Sequence, residues 1–128
     1  MTHKLDIRVY YEDTDMAGIV YYANYLRYIE RARSDWVRGL GIDQKAMKEQ
    51  GQVFVVRRVE ADYLSSAYLD DELVVETDVL QVTGARLVMD QWVKRGDEAI
   101  FHAVVTVVVV TDTGQVTRMP AIIRQLLH

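Results

Sequence analysis

Apolar and polar residues alternate near the start of the chain. In residues 4–10, Leu5, Ile7 and Val9 stand between charged neighbours, and this period of two is typical of a strand with one buried face. After an acidic segment the period becomes that of a helix, with apolar positions at Tyr25, Ile29, Ala32, Trp36 and Leu40. The pattern predicts a first strand followed by one long amphipathic helix.

Candidate start and stop signals bound this helix. Asn24 has a residue type that is favoured at N-caps, and Gly39 and Gly41 provide a stop. Residues 43–50 are then predicted to form a short second helix or a turn.

The rest of the chain has the composition of β-strands. Segments 53–64, 73–83, 86–94 and 100–112 are rich in Val, Ile, Thr and aromatic residues, and the short turns between them favour antiparallel hairpins. Residues 104–110 lack alternation, so we expect a central strand that is covered on both faces. Since one helix covers only one face, a second copy of the protein is expected on the other, and we predict a homo-oligomer.

Composition limits the class of protein. The chain has 128 residues and is 50% hydrophobic, which fits a single domain over residues 1–128. The formal net charge of −4 argues against a nucleic-acid partner. No apolar run has membrane-spanning length, and the first residues lack the uncharged core of a signal peptide. We therefore expect a cytoplasmic protein without a membrane span.

Several kinds of catalytic site lack their residues. There is no cysteine, and the histidines His3, His102 and His128 are scattered, so we expect no metal site and no bound cofactor. No serine lies in a G-x-S-x-G motif. If the chain is a hydrolase, carboxylates must carry the reaction.

The segment 10–25 is the strongest candidate for a site. A strand-like run ends there in Glu12, Asp13 and Asp15, and the chain then enters the helix. A helix start has unpaired N–H groups and partial positive charge, which stabilise an oxyanion while a nearby carboxylate attacks or activates water. This predicts acyl-transfer chemistry. A calcium loop does not fit, because Ala17 and Asn24 occupy ligand positions.

One motif continues from this turn into the helix. It reads Asp13-Thr14-Asp15-Met16-Ala17-Gly18-Ile19-Val20-Tyr21-Tyr22-Ala23-Asn24-Tyr25, then Tyr28-Ile29-Glu30-Arg31-Ala32-Arg33. The motif resembles the 4-hydroxybenzoyl-CoA thioesterase family, and most closely its Tol–Pal-associated acyl-CoA thioesterase branch. Weaker likeness continues through 55–57, Tyr63, Ala67 and 69–71. The resemblance implies an α+β hotdog fold, in which a curved antiparallel sheet wraps around one long central helix.

The same resemblance implies an activity and its residues. The expected reaction is hydrolysis of an acyl-CoA thioester to a carboxylate and free CoA. Asp15 matches the catalytic aspartate, acting as nucleophile or general base, and the backbone N–H of Tyr22 matches the oxyanion donor. Many members of the branch have His where this chain has Tyr22, so we expect no acid-base role for that side chain. Asp13 is better interpreted as a residue that forms the turn or positions Asp15.

The sequence allows more than one interpretation of the substrate contacts and of the substrate itself. The candidate substrate-binding residues are Gly18, Ile19, Val20, Tyr25, Glu30 and Arg57. Tyr25 is more readily interpreted as a core residue than as a pocket residue. Glu30 is a candidate for the acyl pocket, the partner subunit or solvent, and Arg57 for a CoA phosphate or a solvated strand face. Alternative functions are an acyl-carrier-protein thioesterase and a non-catalytic acyl-CoA-binding protein. The family likeness implies active sites between subunits of a dimer, with tetramers also allowed.

Overall fold

A computed structural model describes residues 2–126. Its first half contains a strand, a 3₁₀ turn and two helices: β1 (His3–Arg8), the turn Tyr11–Asp13, α1 (Asn24–Gly39) and α2 (Gln44–Glu49). Its second half is mostly strand: β2 (Gln52–Tyr63), β3 (Glu72–Val82), β4 (Arg86–Arg95), β5 (Glu98–Thr111), β6 (Val116–Thr117) and a last short helix, α3 (Ala121–Arg124). No helix in this range is long and apolar enough to cross a membrane.

The strands form one antiparallel sheet in the order β1-β3-β4-β5-β2, and β6 pairs with the end of β5. Residues 104–110 therefore lie between neighbouring strands, which confirms the prediction of a central strand. Val105, Val107 and Val109 are buried, whereas Val104 and Thr106 on the other face are only partly buried. The expectation that a second copy covers this outer face stays a prediction.

Helix α1 packs on the inner face of the sheet and is tied to it by a buried polar network. Gln91 on β4 is fully buried. Its side-chain amide donates to the carbonyl of Ile29 at 3.0 Å and to the hydroxyl of Thr77 at 2.9 Å, and its oxygen accepts from Arg33 at 3.0 Å. Because each of these groups has a partner, the network links α1 to both β3 and β4 without leaving the Gln91 amide unsatisfied.

The predicted ends of the helices hold in part. Gly41, at φ +85°, follows the end of α1 as expected, because glycine adopts this left-handed conformation easily. Asp43 caps α2 by accepting from the amides of Lys45 and Ala46. The predicted Asn24 cap is wrong: Ala23 is the N-cap residue, and the Asn24 side chain bonds elsewhere.

Candidate functional site

The acidic turn is a small hydrogen-bonded hairpin. The amide of Asp15 donates to the carbonyl of Ile19 at 2.9 Å, and that of Gly18 donates back to the carbonyl of Asp15 at 3.0 Å. A bridge between Thr14 and Val20 closes the hairpin. Gly18 has φ +79°, while a Cβ there would meet nothing within 4 Å. A glycine is thus needed at position 18 because of its left-handed backbone conformation, and not because a side chain there would clash with another residue of this chain.

Asp13 fixes both ends of this hairpin. Its carboxylate is buried and accepts from the amide of Tyr10 at 2.9 Å. Its backbone carbonyl accepts from the amide of Tyr21 at 2.9 Å and from the side-chain amide of Asn24 at 2.8 Å. One buried residue therefore holds the incoming strand, the outgoing chain and the start of α1 together.

Asp15 lies at the surface of this held turn. One carboxylate oxygen accepts from the amide of Ala17 at 2.9 Å, and the side chain is otherwise exposed. The second oxygen has no hydrogen-bond partner within residues 2–126. The carboxylate is thus oriented by one bond while its other oxygen remains accessible.

The backbone N–H of Tyr22 is a second polar group near this turn that lacks a partner among the described residues. Across the described residues its N–H has no acceptor, and it lies two positions before the first residue of α1. The carbonyl of Tyr22 accepts a bond from the hydroxyl of Tyr63 at 3.0 Å. Its ring is 62% exposed. An unpaired N–H at the positive end of a helix is suited to hold a developing negative charge.

A second loop supports the hairpin from the other side. Val20 donates its amide to the carbonyl of Ala67 at 2.9 Å. The guanidinium of Arg95 binds the carbonyl of Ser66 at 3.0 Å and the carboxylate of Asp71 at 2.7 Å. Hydrogen bonds to Glu98, the larger effect, and to Asp71 raise the pKa of Arg95. The guanidinium that holds this loop therefore stays protonated. The sequence carried no signal for this role of Arg95, because Ser66 and Asp71, which it holds, are distant along the chain.

Tyr25 lies beneath the site, in the core. Its ring stacks on Phe101 with centroids 5.1 Å apart, and its hydroxyl accepts from the amide of Ala67 at 3.1 Å. Burial raises the pKa of Tyr25, which keeps the hydroxyl neutral. The residue supports the helix start, and its role as a substrate contact stays a prediction.

Glu30 lies elsewhere, at a cavity along α1. This cavity has a volume of about 120 Å³ and lies between α1 and strands β2, β4 and β5. Glu30 and Arg33 line it from the helix, and Val55, Leu87 and Met89 line it from the sheet. At a rise of 1.5 Å per residue, Glu30 is about 9 Å and Arg33 about 14 Å along the helix from Asn24. The structure thus separates Glu30 from the hairpin of its own chain.

Arg57 lies at a bulge in β2, where the pairing with β5 shifts register between Val56 and Arg58. Arg58 forms an ion pair with Glu60 at 3.3 Å, whereas Arg57 is exposed and has no partner in the range 2–126. Of the two arginines, Arg57 is the one that remains available to a ligand.

Comparison with known proteins identifies the family. Residues 9–127 match the model of the thioesterase-like superfamily. The chain belongs to this superfamily. The acyl-CoA thioesterase YbgC of Haemophilus influenzae is 44% identical over 110 residues, which are 85% of this chain and 80% of that protein. The acyl-CoA thioester hydrolase YbgC of Escherichia coli O6:H1 is 36% identical over 106 residues, covering 83% and 79%.

A solved structure agrees with this membership. The probable thioesterase from Bartonella henselae matches with a TM-score of 0.89 and 32% identity, covering 94% of this chain and all of that one. The superfamily membership and this match confirm the predicted hotdog fold, and the relatives confirm the prediction of a thioester hydrolase.

The histidines of this thioesterase-like chain have structural contacts. His102 bonds to Asp90 and stacks on Trp92 at 3.9 Å, and His3 bonds to Asp35 at 2.8 Å. His128 lies outside the described residues. Within those residues, no three His, Asp or Glu side chains are grouped to hold a metal ion. The absence of a cofactor stays a prediction.

Asn24→Ala tests whether the link to Asp13 holds the site. The change removes one buried hydrogen bond, which is worth about 0.5–1.5 kcal/mol of folding stability. We expect turnover to fall at least about tenfold, because the helix start loses its tie to the turn. Denaturant titration and steady-state kinetics measure the two effects.

Asp43→Ala is the matched control, since it removes the α2 cap and costs about 1 kcal/mol away from the hairpin. Its turnover should stay within about twofold of the original. If both variants lose activity equally, lost stability explains the effect and Asn24 does not position the site.

Proposed function

We propose that this chain hydrolyses acyl-CoA thioesters to a free carboxylate and CoA. The observation that carries the proposal is the pairing of an exposed Asp15 carboxylate with an unpaired Tyr22 N–H on one rigid turn. The named activity of the YbgC relatives supports the choice of acyl-CoA as substrate.

Tyr22 supplies the oxyanion donor in this proposal. Its N–H binds the thioester oxygen, whose charge grows as the carbonyl carbon becomes tetrahedral. The macrodipole of α1 adds partial positive charge at the same place. Loss of one such donor in other enzymes slows catalysis by about 10²–10³. Because the donor here is a backbone N–H, its position matters more than the identity of the Tyr22 side chain.

Asp15 acts on the carbonyl carbon by one of two routes. As a nucleophile, its oxygen forms a bond to that carbon, the C–S bond breaks, and a mixed anhydride remains for water to hydrolyse. As a general base, it takes a proton from a water molecule that attacks the same carbon, and the C–S bond then breaks. In both routes CoA leaves as a thiolate and the acyl group ends as a carboxylate.

The leaving group explains how so few residues suffice. A thiol has a pKa of about 8.5, so the thiolate leaves near neutral pH without a protonating histidine. The proposal therefore needs neither a metal nor a bound cofactor, and CoA enters only as part of the substrate. We assign the reaction to the cytoplasm.

The remaining candidate contacts divide between the two ends of the substrate. Gly18, Ile19 and Val20 form the wall of the hairpin beside Asp15 and are assigned to the thioester itself. The unpartnered guanidinium of Arg57 is assigned to a CoA phosphate.

A dimer through β2 completes the proposed site. β2 is twelve residues long and forms one edge of the sheet. Exposed apolar edges tend to pair with another chain, and in the apolar part of β2 the residues Val53, Val55, Val56 and Val59 are 37–41% exposed. The strand also carries the charged residues Arg57, Arg58, Glu60 and Asp62. Two copies paired by a twofold axis would extend the sheet, with the strands antiparallel.

The same twofold axis makes the two α1 helices antiparallel. The start of one helix then lies toward the later half of the other, where the cavity lined by Glu30 is found. We propose that Asp15 and Tyr22 of one copy act on a substrate whose acyl group enters the cavity of its partner. Tetramers through the outer sheet face remain compatible with this dimer.

Asp15→Asn should lower turnover at least about a hundredfold while the fold persists, because the amide keeps the shape but loses nucleophilicity and basicity. Release of free thiol from a panel of acyl-CoA substrates measures the rate, and circular dichroism checks the fold. Asp97→Asn, in the exposed turn between β4 and β5, is the control and should keep full activity.

Retained activity in Asp15→Asn would move the role to another acid, with Asp13 the next candidate. If the unsubstituted protein binds acyl-CoA without turnover, the non-catalytic binding function is indicated. Cleavage of acyl-carrier-protein thioesters alone would indicate the other alternative.

Tyr22→Phe should change turnover less than about tenfold, because only the backbone N–H is assigned a part. Tyr22→Pro removes that donor and should be far worse. Steady-state kinetics on both variants, with melting curves as the folding control, provide the comparison. A severe loss in the phenylalanine variant would show that the hydroxyl takes part.

Dilution should lower activity and dimer content together. Sedimentation across a concentration series, with specific activity measured in parallel, tests the shared site. Val59→Lys places a charge on the free edge of β2 and should shift both curves to higher concentration, while Val116→Lys on β6 should shift neither. A fully active monomer would contradict the shared site.

A further inference from the structure

The cavity along α1 contains a cation that the proposed chemistry does not use. Arg33 lines this cavity and is partly buried. Its one hydrogen bond within residues 2–126 goes to the neutral side-chain oxygen of Gln91, at 3.0 Å. No carboxylate of that range lies within ion-pair distance of it. A guanidinium has five N–H donors, so four of them have no protein partner among the described residues.

The surroundings leave this charge poorly compensated. Burial lowers the pKa of Arg33, and the attraction of the Glu30 carboxylate only partly offsets that effect. Glu30 is itself exposed. Charges removed from water are ordinarily paired with an opposite charge or several hydrogen bonds, and the partly buried Arg33 has neither among residues 2–126. The part of the cavity at Arg33 is thus electrostatically suited to receive an anion, although the exposed Glu30 lines the same cavity.

Gln91 orients the guanidinium. The Gln91 amide is fixed by its two donor bonds to Ile29 and Thr77, so the oxygen that it presents to Arg33 has a set direction. A side chain held in this way loses less freedom when it binds a ligand. The bond to Gln91 therefore positions Arg33 and does not neutralise it.

The helix side of the lining also carries Glu30, Ser34 and Gln44, whereas the sheet side is apolar and limits the size of the ligand. Val55, Leu87, Met89 and Val107 contribute to the wall. An apolar cavity of about 150 Å³ holds a benzene molecule, so the volume of about 120 Å³ suits an acyl group of about four to six carbon atoms. Such a group has room for a short methylene chain and one polar end.

We infer that Arg33 is a specificity-determining residue for acyl-CoA substrates whose short acyl group ends in a carboxylate. The inference rests on the proposed thioesterase function. The methylene chain would contact the apolar wall, and the terminal carboxylate would form a charge-assisted, two-point bond with the guanidinium. The thioester carbonyl would lie at Asp15 and Tyr22 of the partner copy.

Succinyl-CoA and butanoyl-CoA test this inference, because they share four acyl carbons and differ at the far end. We expect kcat/KM for succinyl-CoA to exceed that for butanoyl-CoA at least about tenfold, with the uncatalysed rate subtracted. Arg33→Met keeps much of the side-chain length and removes the charge. It should erase that ratio mainly by raising KM for succinyl-CoA. Arg38→Met removes an exposed charge from the same helix and should keep the ratio.

A purely structural Arg33 would give another result. Loss of the Gln91 bond would then lower the melting temperature and lower kcat/KM equally for both substrates. The ratio of the two kcat/KM values would stay unchanged, which would overturn the inference. A preference of the original protein for butanoyl-CoA would overturn it as well.

Binding separates this inference from the hydrolytic proposal. Calorimetry with Asp15→Asn should show succinyl-CoA binding at least about tenfold tighter than butanoyl-CoA, and the added Arg33→Met change should abolish the difference. This difference would support the inference even if Asp15→Asn retained turnover and overturned the proposed catalytic role. If both substrates bind equally tightly and turnover still needs Asp15, the proposed hydrolysis stands and the assignment of Arg33 is wrong.

Discussion

The backbone carbonyl of Asp13 is the junction on which the site depends. It accepts from the amide of Tyr21 and from the side chain of Asn24, so both of its lone pairs are used. Each bond contributes only about 0.5–1.5 kcal/mol, but together they fix three segments: the acidic turn, the chain that follows it, and the start of α1. With this junction in place, the Asp15 carboxylate and the Tyr22 N–H belong to one rigid unit.

That unit is rigid because the sheet supports it. Tyr63 at the end of β2 donates to the carbonyl of Tyr22, and Arg95 at the end of β4 holds the loop that pairs with Val20. Side chains carried by strands position a neighbouring loop more precisely than side chains on other loops do. The Asp15 carboxylate can therefore remain exposed while its backbone is held from two sides.

The sequence predicted the parts of the fold that have a strong period. Helix α1 and the four long strands appear where the apolar pattern placed them, while β6 and α3 are too short to leave one. The Asn24 cap failed because α1 begins one residue earlier than predicted, with Ala23 at the N-cap, and the Asn24 side chain donates instead to the distant carbonyl of Asp13. The family motif indicated Asp15 and Tyr22. The roles of Gln91, Tyr63 and Arg95 could not be read from the sequence, because their partners lie far away along the chain.

The separation between acid and cavity constrains how any such site can work. The cavity begins at Glu30, about 9 Å along α1 from the helix start, and Arg33 lies about 14 Å along it. A four-carbon acyl group extends only about 5 Å beyond its carbonyl. A substrate with its carbonyl at Tyr22 cannot reach the cavity of the same copy. The free, apolar edge of β2 provides a way to bring a second cavity within reach. Strand pairing at that edge would then set the distance between the reacting carbonyl and Arg33, so that dimer geometry itself would select acyl length.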